Sequence, residues 1–145
     1  MTVLDAYGAL ALLKGEPAAP AVRRLIESAP SVRLTAPGLA EALDHLVRIE
    51  GATEEDAVLD IAELGLFESI TLDSALATRA GLLRARHYDR RARAVSLADC
   101  VAAEAARAAE SALVTADPHL LDLCHEEGID VVVLPDSTGR EWSPG

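Results

Sequence analysis

The sequence predicts an α/β fold: a three-layer α/β/α sandwich with a mostly parallel sheet of four to five strands. Three observations carry that expectation. Short β-type runs alternate with helical runs from residue 2 to about residue 135, the pattern of a parallel sheet covered by helices. Most helical runs start at a capping residue or a proline and stop at glycine or proline. No repeat, linker or shift of composition divides the chain, and 145 residues suffice for one domain with a proper core.

The elements follow in order. Thr2-Val3-Leu4 is a β-type run that ends at Asp5. Ala9 to Leu13 reads as a short helix stopped by Gly15 and Pro17, and Val22, Leu25 and Ile26 place a second helix over Ala18 to Ser28. Ser31 to Thr35 alternates as a second strand. Pro37 suits the first turn of a helix whose apolar stripe is Leu39, Leu43, Leu46 and Val47, with Glu41 mostly off it and Gly51 beyond its end. Thr53-Glu54-Glu55-Asp56 starts the next helix in capping-box style, and Gly65 closes it. Phe67 to Leu72 reads as a third strand, and Asp73 caps a helix running to about Arg86. Ser96 restarts a helix that runs to about Glu110. Ala112 to Thr115 is a fourth strand, Asp117-Pro118 opens a helix to Glu127, and Ile129 to Leu134 is a fifth strand. The domain thus spans 1–135, and the polar tail 136–145 is expected to be extended or mobile.

Composition narrows the function. Aromatics make up 3 % of the chain, so the core is aliphatic and stacking platforms for single-stranded bases are not evident. The net charge of −11 argues against non-specific polyanion binding, which needs many Lys and Arg; a nucleic acid held through a metal ion, or a basic partner, stays compatible with it. Cys100 and Cys124 make no CxxC motif and read as buried, reduced thiols. The first residues lack a basic leader, and no apolar run approaches the ~20 residues that span a bilayer. A soluble, cytoplasmic protein with no membrane partner is expected.

Four acids carry the chemistry. In parallel sheets ligands bind beyond the carboxyl ends of the strands, and Asp5 and Asp117 each follow a strand there. Ser96-Leu97-Ala98-Asp99 matches a capping box, which puts Asp99 at the head of an alanine-rich helix. Each acid has a plain structural reading: Asp5 and Asp117 as N-caps, Asp99 as a capping-box acid, and Glu41 as a solvated helix residue. As a set they point to a metal site. Helix starts favour anions, so Asp99 and Asp117 are expected to stay ionised. Clustered carboxylates repel one another unless a cation joins them, and oxygen donors with few histidines favour Mg²⁺ or Mn²⁺ over Zn²⁺.

Val-Leu-Asp5-Ala, Leu-Ala-Glu41, Ser-Leu-Ala-Asp99-Cys and Val-Thr115-Ala-Asp117, in this order and spacing, resemble the acidic motifs of the PIN-domain family, and among its members the VapC-like toxins of type II toxin–antitoxin systems. The resemblance covers residues 2 to about 135. It implies a flavodoxin-like sheet and a metal-dependent endoribonuclease. In that reading Asp5, Glu41, Asp99 and Asp117 are catalytic, with Asp5, Asp99 and Asp117 prominent in binding Mg²⁺ or Mn²⁺. Thr115, beside the last acid, would hold a water or a ligand. The implied reaction is hydrolysis of an RNA phosphodiester by a metal-activated water, leaving a 5′-phosphate. The implied partners are RNA, a small cognate antitoxin that covers the site, and a second copy in a homodimer. The sequence departs from the family in two places. Asp5-Ala6-Tyr7-Gly8 lacks the Ser or Thr found shortly after the first Asp, and Gly38 stands where Asn often precedes Leu-Ala-Glu.

Arg84, Arg86, Arg90, Arg91 and Arg93 cluster ahead of Ser96. They read either as a phosphate-contacting rim that feeds RNA towards Asp99 or as a solvated helix end and loop paired with nearby acids. His45, His87, His119 and His125 show no metal-ligand spacing and read as surface or helix-face residues. Two rivals to the nuclease reading stand. A haloacid-dehalogenase-type phosphotransferase needs a second Asp at the position of Tyr7, which is missing. A non-catalytic PIN-like module would bind metal, RNA or protein without cutting.

Overall fold

The computed structural model describes residues 1–145. Four strands, β1 (Thr2–Leu4), β2 (Val32–Arg33), β3 (Leu113–Thr115) and β4 (Val131–Val133), form one sheet in the order β2-β1-β3-β4. Every pairing is parallel, with Thr2 beside Val32, Val3 beside Leu113 and Leu113 beside Val131. Seven helices surround it: α1 (Ala6–Lys14), α2 (Ala19–Ser28), α3 (Ala36–Arg48), α4 (Glu54–Glu63), α5 (Ser74–His87), α6 (Leu97–Ala108) and α7 (Pro118–Glu127).

Successive strand residues point to opposite faces, and the two cores record this. Leu4 and Val114 join the cluster built with α1 to α4, including Ala9, Leu12, Val22, Leu46 and Ile61. Val3 and Leu113 join the cluster built with α5 to α7, including Leu83, Cys100, Leu120 and Leu123. The sheet is therefore sandwiched between two helical layers, as expected. Alanine is the main filler of α6, where Ala102, Ala103, Ala105 and Ala106 are all buried. Their small side chains let the helix lie close against its neighbours. Both cysteines are free and buried among these residues, and burial pushes their thiols up to about 11 and about 12.

One expectation is corrected. Phe67 to Leu72 is not a strand: only Ile70 pairs, through a single bridge to Thr35, with Ala36 N–H donating to Ile70 O and Ile70 N–H to Leu34 O. The β-prone ends Phe67 and Leu72 are exposed, so no second sheet face anchors the run and the sheet has four strands. The tail carries a turn and one docked ring. Asp136 N–H donates to Arg140 O at 2.8 Å, closing a turn. Trp142 Nε1 then donates to Asp122 at 2.8 Å, and its ring meets His125 edge-on at 6.0 Å, docking the tail on α7. A lone apolar residue in a polar segment found a surface to cover.

Smaller differences are at element ends. α1 begins at Ala6 rather than Ala9, because Asp5 caps it directly by accepting from Gly8 N–H at 3.0 Å. Gly8 lets the helix start lie close over Leu4: a Cβ there would push the end of the Leu4 side chain aside.

Candidate active site

The strand order reverses between β1 and β3, which leave the sheet centre in opposite lateral directions. The crevice outside their carboxyl ends is the expected ligand position in such a sheet. A cleft of about 330 Å³ lies there, lined by Asp5, Tyr7, Glu41, Asp99, Asp117 and Asp136 among others. All four acids singled out in the sequence thus reach one cleft.

Each arrives by a separate local device. Asp5 follows β1 and is the N-cap of α1. Its Oδ1 accepts from Gly8 N–H, and its Oδ2 accepts from the Thr115 hydroxyl. Asp117 follows β3 and caps α7, with Oδ1 accepting from the N–H groups of His119 and Leu120 at 2.9 and 3.3 Å. Asp99 sits in a complete capping box. Its own N–H donates to Ser96 Oγ at 3.0 Å, and its Oδ2 accepts from Ser96 N–H at 2.9 Å. Glu41 projects from the exposed side of α3 and makes no hydrogen bond within the chain. Capping and cleft-lining are therefore compatible roles. Each cap uses one oxygen, which leaves Asp99 Oδ1, Asp117 Oδ2 and both Glu41 oxygens uncommitted.

Electrostatics couples the four. Burial lifts the Asp5 carboxyl to about 7, against the hydrogen bonds from Thr115 and Gly8, and the charges of Asp99 and Asp117 push the same way as burial. Glu41 is raised by burial and then by Asp99. Asp99 is raised by burial and by Asp117, while Ser96 and His119 pull it down. The helix start that was expected to keep Asp99 ionised is thus opposed by burial.

The donor set fits a hard divalent cation. It is all oxygen, it is anionic, and three of its acids keep a free oxygen in the cleft. No three Asp, Glu, His or Cys side chains stand close enough to hold a metal as they are.

The other candidates are sorted differently. Thr115 is fully buried and is not on the cleft wall. Its hydroxyl donates to Asp5 Oδ2 and accepts from Asp117 N–H at 3.1 Å. It ties the two acids together. Arg84 is committed too, donating to Val95 O at 2.9 Å and lying 4.2 Å over the Tyr88 ring. Arg93 pairs with Glu126 at 3.0 Å, and Arg86 lies 3.9 Å from Glu127. Arg86 and Arg93 thus meet acids of α7, and Arg84 a backbone carbonyl and a ring. Arg90 and Arg91 remain, exposed at the tip of the turn closed by Asp89 and Arg93. His119, one residue beyond the Asp117-Pro118 pair, holds that turn at 3.2 Å through Ala92 O. The turn is thereby tied to the first turn of α7, whose cap Asp117 lines the cleft. His87 is only 10 % exposed and sits 2.7 Å from Glu127, inside an ion network rather than on the surface.

Sequence reading missed two contributors. Asp136 lines the cleft from beyond β4, hidden in a segment that looked like a turn-rich tail. The rule that placed Asp5 and Asp117 at strand ends applies equally to β4. Tyr7 also lines the cleft; it stands near the place where the family's small hydroxyl residue was absent, and it supplies a hydroxyl of its own.

Comparison with known proteins agrees with this fold. VapC20 of Mycobacterium tuberculosis, described as a Sarcin-Ricin loop cleaving toxin, superposes with a TM-score of 0.62 at 20 % identity, over 78 % of this chain and 87 % of that one. FitAcB from Neisseria gonorrhoeae gives 0.66 at 19 % identity, over 90 % and 96 %. VapBC2 from Rickettsia felis, bound to a DNA fragment from its promoter, gives 0.66 at 16 % identity, with the same coverage. No curated protein matches the sequence. The sequence model of the PIN domain matches residues 2–126. The ordered acids, the parallel sheet and that match agree, and the chain belongs to the PIN domain family.

Proposed function

We propose that this protein is a metal-dependent endoribonuclease acting as the toxin of a toxin–antitoxin pair. The observation that carries the reading is the meeting of Asp5, Glu41, Asp99 and Asp117 in one cleft at the switch point of the sheet. Asp5, Asp99 and Asp117 would hold Mg²⁺ or Mn²⁺, with Glu41 opposite them on α3. When bound, the cation lowers the pKa of water and stabilises charge on a phosphodiester.

The chain's own groups have separate tasks. Thr115 and Gly8 keep the Asp5 carboxylate oriented and favour its ionised form. Ser96 and the first turn of α6 hold Asp99 at the cleft, and the first turn of α7 holds Asp117. Glu41, free of hydrogen bonds, is the acid best placed to take or give a proton. Arg90 and Arg91, on the turn pinned by His119, would contact RNA phosphates near the cleft, a sequence-independent attraction. The negative balance of the whole chain then limits RNA binding to that strip.

The relatives described as VapBC and FitAcB motivate a protein partner. An antitoxin with a basic segment suits a chain of charge −11, and a homodimer is the proposed assembly. Asp5→Asn or Asp99→Asn should abolish both Mn²⁺-dependent RNA cleavage and growth arrest on expression. Partner-free protein that cuts no RNA with either metal would reject the enzyme reading and leave the non-catalytic module.

A further inference from the structure

The four-acid motif does not exhaust the cleft. Asp136 lines it together with Ser137, although it lies outside the matched family segment of residues 2–126. Leu134 N–H donates to Thr115 O at 2.9 Å, which continues the β3–β4 pairing to the same edge that carries Asp5 and Asp117. Asp136 is two residues further on. Its Oδ1 accepts three hydrogen bonds, from Thr138 N–H at 2.8 Å, Thr138 Oγ1 at 2.6 Å and Arg140 N–H at 3.0 Å. Its Oδ2 accepts none. The carboxylate is therefore fixed through one oxygen and open through the other, the same division of labour seen in Asp99 and Asp117.

Tyr7 adds a second hold on the turn. Its hydroxyl donates to Pro135 O at 2.9 Å, across 128 residues of sequence. Tyr7 is two residues past Asp5, so the first helical turn after the first acid grips the residue just before Asp136. On the far side, Trp142 docks on α7 through Asp122 and His125. The segment between is held at both ends. The place near which the family carries a small hydroxyl beside the first acid is here spent on a longer hydroxyl that reaches the tail.

We infer that Asp136 is a fifth acidic residue of the cation site, seated by the Tyr7–Pro135 hydrogen bond. It rests on the metal-dependent reading given above. A hard cation such as Mg²⁺ usually keeps part of its water and is bound by only one or two carboxylates directly, so a fixed anion on the wall strengthens binding without having to displace one of the four. The neighbouring groups that orient metal ligands typically change affinity 10–100-fold when lost; for an acid on the rim the expected effect is at or below the lower end of that range.

The experiment is a Mn²⁺ titration followed by electron paramagnetic resonance, on full-length wild type and two variants. Asp136→Asn keeps the Oδ1 acceptor that holds the turn and removes the charge. It should weaken Mn²⁺ binding about three- to tenfold while the melting temperature in EDTA falls by no more than a few degrees, since the Oδ1 acceptor is kept. Tyr7→Phe removes only the hydroxyl. It should weaken Mn²⁺ binding in the wild-type background and have no further effect in Asp136→Asn, because both changes act through one group. Wild-type binding with an undiminished Asp136→Asn affinity overturns the inference and leaves the four-acid site intact. Additive losses in the double variant overturn the role of Tyr7. A wild type that binds no Mn²⁺ overturns the inference together with the metal-dependent reading beneath it.

Discussion

Thr115→Val tests whether one buried hydroxyl controls the site's readiness for a cation. The change is close to isosteric, so the strand core should keep its packing. It removes the donor to Asp5 Oδ2 and the acceptor of Asp117 N–H together. Thr115 is fully buried, so water cannot replace either bond, and the stability loss should be about 1–3 kcal/mol. The more informative effect is on Asp5. Its carboxyl already lies at about 7, with burial raising it and Thr115 the strongest opposing influence. A hydrogen bond to a charged group is worth about 1.5–3 kcal/mol, and 1.4 kcal/mol is tenfold in proton affinity. The variant should therefore hold its Asp5 proton at least about tenfold more tightly. At pH 7 the ionised fraction falls from about one half to about one tenth or less, and cation affinity falls about fivefold or more. The assay is a Mn²⁺ titration from pH 6 to pH 9. The deficit should be large at pH 7 and close again at the alkaline end. A variant that binds Mn²⁺ with the wild-type pH dependence would mean that Thr115 does not tune Asp5.

Two other outcomes follow from the same electrostatics and from the helix caps. Because the folded-state Asp5 pKa is raised from 3.8 to about 7, the native state binds more protons than the unfolded state between those values. The contribution of this group is thus fully present below pH ~4 and lost as pH rises through about 7. Metal-free protein should lose that part of its stability across the window, and Mn²⁺ should raise the melting temperature more at pH 8 than at pH 6; an equal rise at both would contradict the assignment. Ser96→Ala opens the capping box of α6 by removing the acceptor of Asp99 N–H, which should cost about 1 kcal/mol and lower the melting temperature by a few degrees, read by thermal denaturation in EDTA. An unchanged melting temperature would mean that tertiary packing alone holds the start of that helix.

The helices were legible because their signals are local. Thr53, Asp73, Ser96 and Asp117 are N-caps in the structure as their spacing to the following turns implied. Gly128 ends α7 in the left-handed conformation that glycine tolerates. The Phe67–Leu72 run was misleading for the opposite reason. Its residues are β-prone, but strand pairing needs a partner edge along the whole length, and only Ile70 meets one. The arginine cluster likewise could not be apportioned from sequence. Arg86 and Arg93 find Glu127 and Glu126 on α7, more than thirty positions away, and nothing local announces that pairing.

The sequence by itself determined the alternation of strands and helices and the order of the four acids. Those features depend on neighbours within a few residues, through backbone preference, capping and apolar period. Tertiary structure alone made Thr115 an internal tie between Asp5 and Asp117 and let Tyr7 reach Pro135, next to Asp136. Those facts join groups more than a hundred residues apart. They exist because parallel pairing of β1, β3 and β4 gathers three strand ends at one edge, where burial and like charge act on whichever carboxylates the chain has placed there.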